Sequence, residues 1–234
     1  MLLILASVPV SCNKEFLSPV SREPFLTHSE EGGIFTDSRD HKSYKMITID
    51  SQTWMAENLS YIPYINNTQE GGIWVYDYAD TSISSARLSQ NFKSYGCLYN
   101  WETAENACPS GWHLPSITEW DQLINFVKKN GHYEDAGLAL KSINGWMPGI
   151  GGKGTDDYGF DALPGGIRES SGSFHYIKGR TRFWVSTKRQ SLYAGDTNYA
   201  IAYNIDHTTT IVAEYSQSMD NGLSVRCIKD VDKK

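Results

Sequence analysis

At 234 residues the chain has room for one generous domain or two small ones. Its formal net charge of -6, without any basic stripe to neutralise phosphates, argues against a nucleic-acid partner. An aromatic content of 12%, with 7 Trp and 14 Tyr, together with 20 Gly suits a strand-and-loop protein better than a helical bundle.

The opening stretch, MLLILASVPVSCNKEF, holds a short apolar run that ends in small residues before Cys12. The run is too short for a membrane-spanning helix, which needs about 20 apolar residues, and it reads as a signal peptide over residues 1–12. VPVSC resembles a bacterial lipobox, although Pro9 stands where that pattern usually has Leu and no Lys or Arg precedes the run. Cys12 is therefore the expected lipid-attachment residue. The expectation is an exported outer-membrane lipoprotein, at the cell surface, that meets the membrane through its lipid anchor only. Residues 13–32 are polar, contain two prolines and show no periodicity. They read as a tether that spans at most roughly 65 Å.

A single folded domain is expected over residues 33–230. Strand-forming runs at 33–36 and 44–49 flank the turn-like DSRDHKS, and a third begins near Gln52. The tyrosine-rich span 61–91 reads mostly as loop. A first helix is predicted over 101–108, stopped by Pro109. A stronger one follows Pro115, where Ser116 and Glu119 form a capping-box pair. Trp120, Leu123, Ile124 and Val127 then share one face, and Asn130-Gly131 closes the helix. EDAGLALKSI gives a weaker third helix. From Phe160 onward short strands and turns alternate: GFDALPGG, RFWVST, YAIAYNI, TTIVAEY and GLSVRCI. Helices lying between two β-rich regions define an α+β layout rather than alternating β-α units.

Beyond Cys12 the chain has Cys97, Cys108 and Cys227, enough for one disulfide and one free thiol. Trp101, Ala104 and Cys108 fall on one helical stripe. Leu223, Val225 and Cys227 alternate on one strand face, with Ser224 and Arg226 on the other. Cys97, in YGCLYN, has no clearly apolar face. The faces favour a Cys108–Cys227 bridge.

Little in the sequence points to catalysis. The six histidines never fall at i, i+4 or beside a cysteine, so no metal site is expected. In GWMPGIGGKGTDDYGF, Lys153 is followed by Gly154, which excludes a phosphate loop. Asp156 and Asp157 lack the further oxygen ligands of a calcium loop and read as a solvated turn. There is no Gly-x-Ser-x-Gly elbow. Glu102 and Glu105 read as solvated charges, and His113 as a packed connector residue. Cys97 is the only spare nucleophile. No cofactor is implied.

QTWMAENLSY, GCLYNWETAENACPSGWHLPSITEWDQL, LKSINGW, GTDDYGFDALPGGIR, FWVST and NGLSVRCI, in that order, resemble the Fibrobacter succinogenes major paralogous domain family over roughly residues 33–230. The resemblance implies a C-type-lectin-like fold, distantly similar to the domain of formylglycine-generating enzymes: two or three helices packed on twisted antiparallel sheets with a long irregular loop region. It also implies a disulfide between the first helix and the last strand, at Cys108 and Cys227. The late cysteine motif of formylglycine-generating enzymes is not found, nor are the calcium and sugar motifs of C-type lectins. In such a fold the long loop, here 144–176, usually forms the binding face. Trp146, Asp156, Asp157, Tyr158, Arg168, His175 and Tyr176 are the candidate ligand-binding residues. The expected function is non-catalytic binding of an extracellular glycan or protein. The alternatives are a structural subunit of a surface assembly and an enzyme of the formylglycine-generating type.

Overall fold

A computed structural model describes residues 29–65, 72–189 and 198–231. The expected signal segment with Cys12, and residues 13–28 of the expected tether, lie outside the described residues. Strand β1 (Ser29–Thr36) begins ahead of the expected domain edge at residue 33, and pairs antiparallel with β2 (Ser43–Ile49). A two-residue turn, with Asp50 at φ 56°, then folds β2 onto β3 (Gln52–Met55).

The span expected mostly as loop carries more structure than its composition suggested. It contains β4 (Ile73–Trp74), α1 (Ile83–Leu88) and the start of α2 (Gln90–Tyr95), followed by β5 (Leu98–Tyr99). Each short helix is started by a serine: Ser82 accepts from the Ser85 N–H and Ser89 from the Phe92 N–H. Ala86 is the only residue of the two that is buried, so no apolar stripe announces them.

Helix α3 (Trp101–Ala104) is shorter than the predicted 101–108 and is capped by Asn100. Trp101 and Ala104 are buried as their spacing predicted, while Cys108 lies in the turn beyond. After β6 (Trp112–His113), α4 (Ile117–Lys129) follows the prediction closely: the capping box joins Ser116 and Glu119, and Trp120, Leu123, Ile124 and Val127 are its buried residues. Helix α5 (Ala136–Leu140) is the core of the weaker helical signal. The remaining strands are β7 (Gly165–Arg168), β8 (Phe174–Ile177), β9 (Arg180–Lys188), β10 (Tyr199–Asp206), β11 (Val212–Ser218) and β12 (Ile228–Lys229).

Two five-stranded sheets result, in the orders β1-β2-β3-β12-β6 and β11-β10-β9-β7-β8, and β4 and β5 form a two-stranded ribbon. All the strand pairings are antiparallel except a short parallel contact between β7 and β9. The fold is α+β and mostly sheet.

GLSVRCI is not one continuous strand. Its residues bridge in turn to Arg168, Tyr99 and Phe183 before β12 pairs with β3 and β6. This segment is the seam between the two sheets, and that position explains its burial. Leu223, Val225 and Cys227 lie in one apolar cluster with Trp101, Trp112 and Trp184. The opposite face is buried as well: Ser224 and Arg226 are inaccessible, and Ile228 joins a second cluster around Trp54, Trp120, Phe160 and Phe183. Cys108 and Cys227 are joined by a disulfide, with Cα atoms 5.9 Å apart.

Candidate functional site: a cleft between the long loop and β2

The stretch GTDDYGFDALPGG folds as a chain of local closures. Asp156 adopts φ 50°, accepts the Gly159 N–H at its carbonyl, and accepts the Asp161 N–H at Oδ1 in a 2.7 Å bond. The turn so closed drives Phe160 inward, where its ring meets Trp54 and Trp120 edge-on, each with centroids 5.7 Å away. Asp161, also left-handed at φ 50°, is half-buried at the edge of the turn. Short-side-chain aspartates tolerate this conformation better than most residues because they hydrogen-bond locally.

Beneath the turn lies Arg226. Its Nη1 donates to the Met55 carbonyl at 3.2 Å and to the Phe160 carbonyl, and its Nη2 donates to Asn58 Oδ1 at 2.7 Å and the Asp161 carbonyl at 3.2 Å. The guanidinium also faces the Phe160 ring, with its central carbon 4.6 Å from the centroid. Burial lowers its affinity for the proton to a pKa of about 10, against the pull of Asp161 and Asp156, and it remains charged at neutral pH. One arginine thus ties the seam to the loop and to the chain after β3.

A cleft of about 450 Å³ opens between this turn and β2. Lys45, Met46, Ile47 and Ala56 form one wall, and Asn144, Asp156, Asp161 and Leu163 are on the other. A second hollow of about 440 Å³ shares Lys45, Asp161 and Leu163 and extends past Lys42, Glu57 and Lys93. The two hollows adjoin at these shared residues and together make up the groove. Burial raises the Asp156 carboxyl to about 6, partly offset by the Asp161 N–H it accepts. Asp161 is also raised by burial, against the influence of Arg226 and Lys45. The groove therefore offers hydrogen-bonding carboxyls of adjustable charge beside apolar walls and lysine ammoniums.

The structure divides the sequence-predicted residues among several places. Asp156 lines the cleft. Trp146 anchors the loop: its indole N–H lies 3.0 Å from Ser142 Oγ and 3.1 Å from the Ala162 carbonyl, and Lys141 Nζ sits 4.8 Å from the ring centroid. Asp157 turns away to Thr155 Oγ1 at 2.7 Å and His132 Nε2 at 3.2 Å. Tyr158, 2% exposed, packs on Phe126 and His132. Arg168, 4% exposed, stacks over Trp74 with its central carbon 4.1 Å from the ring. Those two are interior side chains and present no contact surface. His175 and Tyr176 are exposed on β8, where Arg180 covers one face of the Tyr176 ring at 4.2 Å. They lie outside the lining of the groove.

Sequence reasoning missed Lys45, Asn144 and Asp161, which line the groove, and Arg226, which braces it from beneath. Asp161 was within reach, because acids in DDYGFD recur on both sides of an aromatic pair. Arg226 carried a weaker signal, an arginine placed between apolar residues in a strand.

Two features outside the groove bear on chemistry. Cys97 is fully buried, and burial pushes its thiol up to about 12. His113 lies between Asp230, 2.6 Å from Nδ1, and Glu119, 2.9 Å from Nε2. Partial burial opposes protonation, but the two carboxylates prevail and raise its pKa. A neutral imidazole has one N–H and satisfies one such acceptor, so this arrangement belongs to the imidazolium. Among the described residues no group of three or more His, Cys, Asp or Glu is arranged to hold a metal ion. Also among them, no helix is long and apolar enough to cross a membrane.

These features describe a mostly-sheet α+β domain whose long loop forms a polar groove against an antiparallel sheet. Residues 47–229 match the Fibrobacter succinogenes major domain, and the chain belongs to that family. No curated protein and no solved structure matches the chain.

Proposed function

We infer that the protein is an exported outer-membrane lipoprotein, anchored through Cys12 at the cell surface, whose C-type-lectin-like domain binds an extracellular glycan or protein without catalysis. The observation that carries this reading is the groove: Arg226 and Asp156 brace the long loop so that Asp161, Asn144 and Lys45 converge on a concavity with apolar walls. The lectin-like assignment is supported by α4 beside antiparallel sheets and by the bridge from the chain after α3 to the seam. Export is supported by VPVSC and by the disulfide, which persists in oxidising compartments. Burial of Cys97 with its thiol held protonated favours binding over the formylglycine-generating alternative, since the thiolate is the nucleophile.

The test is a glycan array run beside a panel of extracellular proteins. Asp161→Asn should weaken any binding found by roughly tenfold or more without lowering Tm. A folded protein that binds no member of either panel would sink this reading. It would favour the structural-subunit alternative, for which β11 at a sheet edge, with Glu214, Tyr215 and Ser216 exposed, offers an assembly surface.

A further inference from the structure

We propose that Asn144 is a site of spontaneous self-modification: in the folded protein the backbone nitrogen of Gly145 displaces ammonia from its side-chain amide and water opens the resulting imide, which places a further carboxylate on the groove. The chain contains three Asn-Gly pairs, at 130–131, 144–145 and 221–222. In all three the following glycine leaves the attacking nitrogen uncrowded by a side chain. The fold treats them differently.

The amide of Asn130 is held at the C-terminus of α4, where its Nδ2 donates to the Phe126 carbonyl at 2.8 Å. Asn221 is held on both sides: its Oδ1 accepts from the Ser170 N–H at 2.9 Å and its Nδ2 donates to Gln217 Oε1 at 3.2 Å. The nitrogen that would attack it is also occupied, because the Gly222 N–H donates to the Arg168 carbonyl at 2.8 Å. Asn144 and Gly145 are both exposed. Neither the Asn144 amide nor the Gly145 N–H has a hydrogen-bond partner among the described residues. Gly145 sits at φ 97°, and an added Cβ would find only Pro164 at ordinary contact distance, so the segment is uncrowded.

The chemistry needs no oxidant, reductant or catalyst. The Gly145 nitrogen gives up its proton to water or hydroxide and bonds to Asn144 Cγ. The Cγ–Nδ2 bond breaks, and ammonia departs with a proton taken from solvent. Water then opens the resulting five-membered imide at one of its two carbonyls. Opening at the main-chain carbonyl carbon yields isoaspartate, with one methylene added to the backbone. Opening at Cγ yields aspartate. The balance is one water consumed and one ammonia released. Either product makes the formal charge of -6 one unit more negative. It does so on a wall already shared by Asp156 and Asp161, two residues before the anchor Trp146.

The proposal does not depend on what the groove binds. It is tested by holding the folded protein in mildly alkaline buffer and following each Asn-Gly pair by peptide mass mapping, with a parallel sample unfolded in urea. The expected result is conversion at Asn144 roughly tenfold or more ahead of Asn130 and Asn221 in the folded sample, with the three rates converging once the chain is unfolded. Folded Asn144→Gln should no longer give rise to the more acidic species on isoelectric focusing. Conversion of Asn130 or Asn221 at a matching rate in the folded protein would overturn the proposal. So would a folded Asn144 that stays an amide while the unfolded chain converts, or an acidic species that persists in Asn144→Gln.

Discussion

Two regions of this molecule hold it together by opposite means. The helix α4 and its cap are organised by near neighbours: Ser116 and Glu119 cap each other's backbone across three positions, and four apolar residues of α4 supply one buried face. The seam around Arg226 is organised by distant ones, since its guanidinium bonds reach residues between 65 and 171 positions away. The first region is built so that any one contact is modest and replaceable. In the second, a single side chain satisfies three carbonyls and an amide oxygen from two separate segments, 55–58 and 160–161, and most of those acceptors are buried away from water.

That contrast is open to direct attack. Arg226→Leu should be the costliest change. It leaves the Met55, Phe160 and Asp161 carbonyls and the Asn58 amide oxygen without their donor, at about 1–3 kcal/mol for each that stays buried. The expected loss is about 3–5 kcal/mol in urea unfolding, with the groove collapsing along with it. A variant within about 1 kcal/mol of the parent would mean that the seam is held by apolar packing alone.

Ser116→Ala, on the locally organised side, should cost only about 1 kcal/mol by the same measurement. If the two losses proved equal, the distinction between near and distant organisation would carry no energetic meaning.

The smallest effect is electrostatic and appears as a pH dependence. Burial raises Asp156 from 3.8 to about 6, so the folded state favours its protonated carboxyl. That stabilisation is fully present below 3.8 and is lost as pH rises through about 6. Asp156→Asn keeps the Oδ1 that accepts the Asp161 N–H and removes the ionisation. The variant should therefore match or exceed the parent in Tm above that window and show a flatter pH profile through it. A parent whose Tm is level between pH 4 and 6 would contradict the raised carboxyl.

The same contrast governs what could be read from the residues alone. Capping box, buried stripe and closing Asn-Gly all lie within α4 and its borders, so periodicity carried them directly into the structure. The disulfide was legible because each cysteine's apolar face is a local property. Helices α1 and α2 were missed because Ser82 and Ser89 start them while almost nothing on them is buried. Burial of both faces at 222–228 was missed because alternation describes a strand with one wet side, and the seam has two packed ones. The candidate site suffered most. Asp156 could be picked from the loop, but Tyr158 and Arg168 look like surface residues until partners remote in sequence enclose them. Trp146, a stacking platform by composition, is committed to Ser142 and Ala162.

The Cys108–Cys227 bond has a consequence for the order of events during biosynthesis. Its partners are 119 positions apart, and everything from α4 to the loop wall of the groove lies between them. A chain that emerges from its N-terminus exposes Cys108 long before Cys227 exists to meet it. Throughout that interval Cys97 is the neighbouring thiol, 108 minus 97 or 11 positions away, and it has not yet been sealed in the core. Short loops close readily, so under oxidising conditions a Cys97–Cys108 bridge would compete with the native one until Cys227 arrives. Any such bridge would have to be undone by thiol–disulfide exchange with Cys227 before Cys97 could be buried beside Tyr99.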